Sequence, residues 1–246
     1  MAQPTCEVFD DLSLKKEEMR NTVILVSTNY GRGSGVIIEQ LETEEEGTYE
    51  YLAVTNNHVT ERRFGRVLRG ADIFRGKFKF SKIDNGCNVV VFDNQKRECE
   101  TIEAIVIAED EDLDLALISF KSKEQLPVAK IATSAMLDDI QVFDDVFAVG
   151  CQLGSRPIPT DGIISRISMI GDEKELITYG NTAQISPGSS GGGLFKKYDD
   201  HYYLIGIQYR VSIAPNGQFV PHLASAISFV TAQKFIDDNA VSIPDE

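Results

Sequence analysis

Ile185-Ser-Pro-Gly-Ser-Ser-Gly-Gly-Gly-Leu194 sets glycines and serines between two runs that read as strands, Leu176-Ile-Thr-Tyr179 before it and Gly193-Leu-Phe195 after it. Such a stretch loses more backbone freedom on folding than ordinary sequence, so the fold must use its backbone for something. Two uses are open. One is a long flexible turn. The other is a nucleophile loop, in which Gly188 and Gly191 flank Ser190 and let backbone N–H groups converge on one point, the arrangement that stabilises a tetrahedral oxyanion.

Outward from this loop, short runs rich in Val, Ile, Tyr and Phe recur between Gly, Asn, Asp and charged turns, a spacing that predicts an all-β sandwich or barrel. The first set is Thr22–Ser27, Gly35–Ile38, Tyr49–Thr55, Lys77–Phe80, Asn88–Phe92, Ile102–Ile107 and Leu115–Phe120. The second adds Asp145–Val149, Asp161–Ser168, Tyr202–Tyr209 and Leu223–Ile227 to the runs that flank the loop. Between the sets, Lys121-Ser-Lys-Glu-Gln-Leu-Pro127 is polar and ends in Pro, which marks a linker. Helices are expected only at the periphery, over Leu12–Met19 with Ser13 as N-cap and over Val230–Asp238. The acidic run Glu42-Thr-Glu-Glu-Glu-Gly47 reads as a solvated hairpin tip.

A serine hydroxyl is a weak nucleophile at neutral pH, so the second use of the loop demands a histidine base held by an acid. The chain has three histidines. His201 and His222 lie in polar turn-like sequence, whereas His58 closes the β run Tyr51-Leu-Ala-Val-Thr-Asn-Asn-His58, where apolar neighbours fix it at a strand-to-loop junction. The acid has three candidates in Glu109-Asp-Glu-Asp-Leu-Asp114. Asp114 abuts the apolar run Leu115–Ile118, where a carboxylate is desolvated and needs a partner, while Asp110 and Asp112 read as solvated. Taken one at a time, the histidine also fits a structural role and the acids one charged turn.

Together, Gly33-Ser-Gly-Val-Ile-Ile38, Thr55-Asn-Asn-His58-Val, Asp114-Leu-Ala-Leu-Ile118, Pro187-Gly-Ser-Ser-Gly-Gly192, Leu204-Ile-Gly-Ile207 and Ala224-Ser-Ala-Ile-Ser228 resemble the trypsin-like, chymotrypsin-fold serine proteases, and within them the HtrA/Deg-type branch. The resemblance implies an all-β fold of two six-stranded antiparallel β-barrels with a C-terminal helix. Residues 1–21 would form a partly helical extension, 22–121 the barrel carrying His and Asp, and 122–246 the barrel carrying Ser. It further implies a serine endopeptidase that works through His58, Asp114 and Ser190 and an acyl-enzyme, with Gly188, Ser189 and Ser190 around the oxyanion. By the same resemblance Gln184 sits at the base of the S1 pocket, and Ile207, Gln208, Tyr209 and Arg210 flank it on the strand that pairs with substrate. A Gln base carries no charge, which points to an uncharged P1 residue, with Gln208 and Arg210 leaving a polar or acidic P1 open.

The chain departs from the pattern in several places. It has no Ile-Val-Gly-Gly-like start, and Ser189 stands where digestive proteases have the aspartate that pairs with a new N-terminal amine, so activation by N-terminal insertion is not expected. No cysteine lies near Ser190 in the sequence. Gly193 replaces the Pro usual after the Ser-Gly-Gly motif. The chain also ends shortly after the last motif, which leaves no room for a PDZ domain.

Composition bounds the rest. With 246 residues, 42% of them hydrophobic, the chain is long enough to bury a core without metal or disulfide staples. Its net charge of −14 opposes binding to nucleic acid. No apolar run approaches the roughly 18 residues of a membrane span, so no membrane partner is expected. The cysteines, Cys6, Cys87, Cys99 and Cys151, show neither a CxxC pair nor a histidine at ligand spacing, which argues for free thiols, no metal and no cofactor. A Cys87–Cys99 bridge closing a hairpin is the alternative. Lacking a basic and apolar leader, the chain is expected in the cytoplasm, with protein or peptide substrates as partners. A reading from another class is a latent or inactive protease-like domain that binds a peptide or partner protein and is switched on by an activating partner protein or by clipping.

Overall fold

The computed structural model describes residues 11–29, 31–41, 43, 45–60, 64–67, 79–82, 86–92, 99–171 and 176–240. Strands β1 (Val23–Ser27), β2 (Arg32–Leu41), β3 (Tyr49–Thr55), β4 (Phe64–Val67), β5 (Lys79–Lys82), β6 (Cys87–Phe92), β7 (Cys99–Asp110) and β8 (Leu115–Ser122) come first. Then come β9 (Asp145–Gly150), β10 (Ile158–Ile170), β11 (Leu176–Asn181), β12 (Gly193–Tyr198), β13 (His201–Ile213) and β14 (Phe219–Ser228). They close into two six-stranded antiparallel barrels, in the orders β1-β2-β3-β8-β7-β6 and β10-β11-β14-β13-β12-β9, with β4 and β5 as a separate hairpin. The chymotrypsin-like double barrel and the C-terminal helix, Phe229–Ala240, are as expected. The β4–β5 pair was not foreseen in full, and residues 77 and 78 of the Lys77–Phe80 run lie outside the described residues.

The apolar runs are nearly continuous for a reason. Along β1, β2, β3 and β8 one face fills the first barrel, through Ile24, Val26, Ile37, Tyr51, Ala53, Ile118 and Phe120. The other face, through Leu25, Val36, Leu52, Val54, Leu115 and Leu117, joins the core of the second barrel. A strand buried on both sides loses the hydrophobic alternation that a half-buried strand shows. β7 keeps an alternating pattern because its outer face meets solvent, leaving Ile105 68% exposed. Register shifts within the β2–β3 and β7–β8 pairs bend the first sheet toward closure.

The connecting chain, with the linker expected at Lys121–Pro127 at its start, is stitched to both barrels. β8 extends to Ser122, Leu126 N donates to Tyr51 Oη at 2.7 Å, and Ala129 N donates to Ile37 O at 2.9 Å. Beyond it Leu204 N donates to Lys130 O at 2.7 Å, handing the chain to the second barrel. Cys87 and Cys99 are free and sit at opposite ends of the β6–β7 hairpin, opposite Ala104 and Phe92, so the bridge considered for them is not made. Cys6 lies outside the described residues.

The N-terminal segment differs from the expected helix in form. It is α-helical over Asp11–Leu14, widens to a π-turn over Lys15–Met19 and tightens over Arg20–Thr22. Ser13 therefore lies inside the first turn and is not its cap. The widened turn buries Glu18 and Met19 together against the second barrel. There Glu18 Oε1 accepts from Lys130 Nζ at 2.7 Å and lies 2.7 Å from His201 Nδ1, while Oε2 accepts from Tyr202 N at 2.8 Å. His201 is thus a half-buried partner at the start of β13, where a loop residue was expected.

Burial pushes the Glu18 carboxyl up, but the Lys130 ammonium, the Tyr202 N–H and His201 outweigh it and hold the group below the ordinary glutamate value of 4.5. A carboxylate that binds its proton less readily in the fold stabilises fully above its unfolded value, and the gain is lost as pH falls through the folded one. Glu18→Gln is accordingly expected to cost about 2 kcal/mol at pH 7 in urea unfolding, the scale of a hydrogen bond to a charged group. The difference from wild type should shrink as the pH is lowered below 4.5.

Candidate active site

β3 delivers a buried Thr55 and Asn56, after which a single helical turn, Asn57–Thr60, carries His58 with its side chain 45% exposed. Across from it the β7–β8 turn brings back the acid. Asp110 Oδ1 accepts from Leu113 N at 2.9 Å, and the chain then enters β8 through Asp114 in the left-handed region, φ 53°. Asp tolerates that conformation better than most side chains do. Its carbonyl accepts from Asn56 Nδ2 at 2.9 Å, which ties the two segments together.

The Asp114 carboxylate addresses His58 twice. Oδ1 accepts from His58 N at 3.0 Å, and Nδ1 lies 2.8 Å from Oδ2 and 3.0 Å from Oδ1. A carboxylate only accepts, so the proton sits on Nδ1 and the Nε2 lone pair is left for another group. Asp114 was expected to be desolvated, yet its side chain is 26% exposed, and three hydrogen bonds rather than deep burial hold it. Of the three acids, Asp114 alone meets His58; Asp110 caps the turn and Asp112 is exposed.

Ser190 arrives from the second barrel and is placed against the first. Its carbonyl accepts from Ser34 N of β2 at 2.7 Å. Gly33 lies between it and the histidine turn, since a Cβ there would stand 3.0 Å from Ser190 O and 2.5 Å from Cγ2 of Val59.

Every carbonyl from Pro187 to Ser190 is occupied. Pro187 O accepts from Leu153 N at 2.7 Å, Gly188 O from Ser34 Oγ at 2.7 Å, Ser189 O from Gly192 N at 2.9 Å and Ser190 O from Ser34 N. In a trans peptide the C=O and the following N–H point opposite ways. Fixing the Pro187 and Ser189 carbonyls inward therefore aims the Gly188 and Ser190 N–H groups outward, and among the described residues neither has an acceptor. Ser189 N is spent on Ser186 O at 3.0 Å, so of the three residues expected around the oxyanion only Gly188 and Ser190 offer donors.

The residues expected to bind substrate are scattered in environment. Gln184 is exposed, and its carbonyl accepts from Thr160 Oγ1 at 2.9 Å. Ile207 belongs to the core, and Gln208 is fully buried, its N–H donating to Gly192 O and its carbonyl accepting from Gly191 N, both at 2.7 Å. Among the described residues the Gln208 amide atoms find no hydrogen-bond partner. Tyr209 falls at a register shift in the β13–β14 pair, and Arg210 is exposed. Cys151 lies near the loop, but burial pushes its thiol up to about 12, which makes it inert. No cluster of metal-ligating side chains occurs among the described residues.

Two contributors went unassigned in the sequence. Ser34, between two glycines, carried a hint of close backbone approach. Gln152, whose Oε1 accepts from Ser186 Oγ at 2.9 Å and whose Nε2 donates to Gln184 O at 3.3 Å, carried none.

A family described as the trypsin-like peptidase domain matches residues 33–207. The chain is 32% identical over 218 residues to a probable serine protease do-like of Buchnera aphidicola subsp. Acyrthosiphon pisum, covering 87% of this chain and 34% of the relative. It is 27% identical over 232 residues to the magnetosome formation protease MamE of Paramagnetospirillum magneticum, covering 92% and 30%. With the periplasmic serine endoprotease DegP of Escherichia coli (strain K12) it shares 29% identity over 189 residues, covering 75% and 31%. The chain thus spans about a third of the length of these relatives.

The loop geometry leaves no room at Gly191, where φ is +84° and a Cβ would collide with Ser34 O and Thr55 Oγ1. Gly191→Ala is expected to destabilise by about 2–4 kcal/mol, read from the urea midpoint, because strain and overlap act together.

Proposed function

The chain belongs to the trypsin-like peptidase family, as a domain of the HtrA type, and on that premise we propose that it is a serine endopeptidase acting on protein substrates through His58, Asp114 and Ser190. In this mechanism Ser190 Oγ attacks a peptide carbonyl while His58 Nε2 takes its proton. The Gly188 and Ser190 N–H groups receive the oxyanion, and the imidazolium, steadied by Asp114, returns the proton to the leaving amine. Water then repeats the sequence on the acyl-enzyme. The observation that carries this reading is the pairing of an Asp114-bound Nδ1 with two unspent amides at the Ser190 turn.

Gln184, the residue expected at the base of the S1 pocket, is an exposed neutral amide, which supports an uncharged P1 residue. Cleavage of a peptide library dominated by Lys or Arg at P1 would overturn that assignment. For location we propose the cytoplasm, from the sequence reading; recovery of the native protein in a periplasmic or extracellular fraction would reverse it.

The deciding experiment is labelling with a fluorophosphonate, which needs no knowledge of substrate. Wild type should label, and Ser190→Ala and His58→Ala should not. Asp114→Asn should retain the fold and lose roughly 10⁴-fold in kcat, as loss of the orienting acid does in a related triad. Absence of labelling in well-folded wild type would instead favour a latent or binding domain awaiting an activating partner.

A further inference from the structure

Ser34 has no exposed surface, and all of its polar atoms are engaged. Its carbonyl accepts from Thr55 Oγ1 at 2.6 Å, and its N–H goes to Ser190 O. Its hydroxyl lies 2.7 Å from Cys151 N and 2.7 Å from Gly188 O. The Cys151 N–H only donates, so the hydroxyl accepts there and its single proton is committed to Gly188 O. The hydroxyl therefore fixes the spacing between two segments of the second barrel, the turn Cys151–Gly154 and the loop at Gly188.

That spacing matters because the next contact along is Leu153 N to Pro187 O, the bond that turns the Gly188 N–H outward. The fit is close: a Cβ on Gly188 would lie 2.6 Å from Cys151 O and 2.9 Å from Leu153 N. Leu153 itself holds a left-handed conformation, φ 55°, and the residue is 81% exposed, so packing contributes little to hold it there. Gln152 braces the same turn from the other side through Ser186 and Gln184.

We infer that Ser34 is a positioning residue for the oxyanion donors, a first-barrel hydroxyl that orients the Pro187–Gly188 peptide of the second barrel by way of the Cys151–Leu153 turn, with Gln152 as its auxiliary. The inference rests on the proposed protease reading of Ser190. Without the hydroxyl, the buried Cys151 N–H and the half-buried Gly188 C=O lose this partner, and the turn has to shift to satisfy them.

The test compares wild type, Ser34→Ala and Gln152→Ala. Ser34→Ala should lower kcat and the rate of fluorophosphonate labelling by roughly 10²-fold, the scale of losing one oxyanion donor. Its KM should stay near wild type, and binding of an uncleaved substrate peptide by the Ser34→Ala/Ser190→Ala pair should stay near that of Ser190→Ala, a split that general loosening of the fold would not give. A crystal structure of Ser34→Ala should show Pro187 O released from Leu153 N. Gln152→Ala should fall in the same direction by a smaller factor, and it decides the matter if Ser34→Ala does not fold. Wild-type labelling rates in a folded Ser34→Ala, or an unmoved Pro187–Gly188 peptide, would overturn the inference. If wild type itself does not label, the protease reading fails, and the peptide orientation in Ser34→Ala still decides the role of Ser34.

Discussion

A buried contact between β2 and the Ser190 loop is the constraint on which the rest of the site depends. The histidine and its acid belong to one closed barrel and the serine loop to another, so no local sequence signal can set the distance between them. It is set where Ser34 N meets Ser190 O and Ser34 Oγ meets Gly188 O. Each bond is worth about 1 kcal/mol net, a small term beside the hydrophobic contact. Their value is geometric, because hydrogen bonds of fixed length locate a loop to within tenths of an ångström, whereas apolar packing alone is non-directional.

The apolar contact supplies the affinity between the barrels. Strands β1, β2, β3 and β8 are sandwiched between their own barrel and its neighbour, which makes the two units one core on one side and separate on the others. The N-terminal segment adds a clasp. It precedes the first barrel in the chain but packs on the second, holding it through Glu18, Lys130 and the Tyr202 N–H. The chain thus crosses between the units both before the first barrel and after it, and separating them requires breaking both crossings.

Among the described residues four non-glycine positions have positive φ, two of them, Asp114 and Leu153, at the site and two, Phe143 and Asp199, in other turns. Asp114 and Leu153 both adopt left-handed backbone conformations that cost L side chains of order 1 kcal/mol each or more. Asp114 is repaid by the Asn56 and His58 bonds, and Leu153 by the bond to Pro187 O. Through these turns Asp114 meets the histidine turn of its own barrel, and Leu153 meets the loop that carries Gly188.

Much of the fold was legible in residue order alone. Runs of β-branched and aromatic residues at regular spacing determined an all-β chain, because strand period is a local property, and Asn56-Asn-His58, Asp114-Leu-Ala-Leu117 and Pro187-Gly-Ser-Ser190 offered candidate side chains that a family resemblance joined. Where the sequence read wrongly, the cause was non-local. Nothing local in the linker at Lys121–Pro127 shows that Tyr51, far off in the chain, binds it. His201 looked solvated, yet a carboxylate from the N-terminal turn meets it. Gln184 and the residues of β13 were grouped by neighbourhood in sequence, but a strand sends alternate side chains to opposite faces, and Ile207 and Gln208 are buried while Arg210 is exposed. The sequence by itself determined the elements and the candidate chemistry; only the tertiary structure decided which acid meets the histidine, which amides remain free to donate, and that a serine between two glycines in the first barrel holds the loop of the second, because those outcomes depend on distances between segments that no local rule encodes.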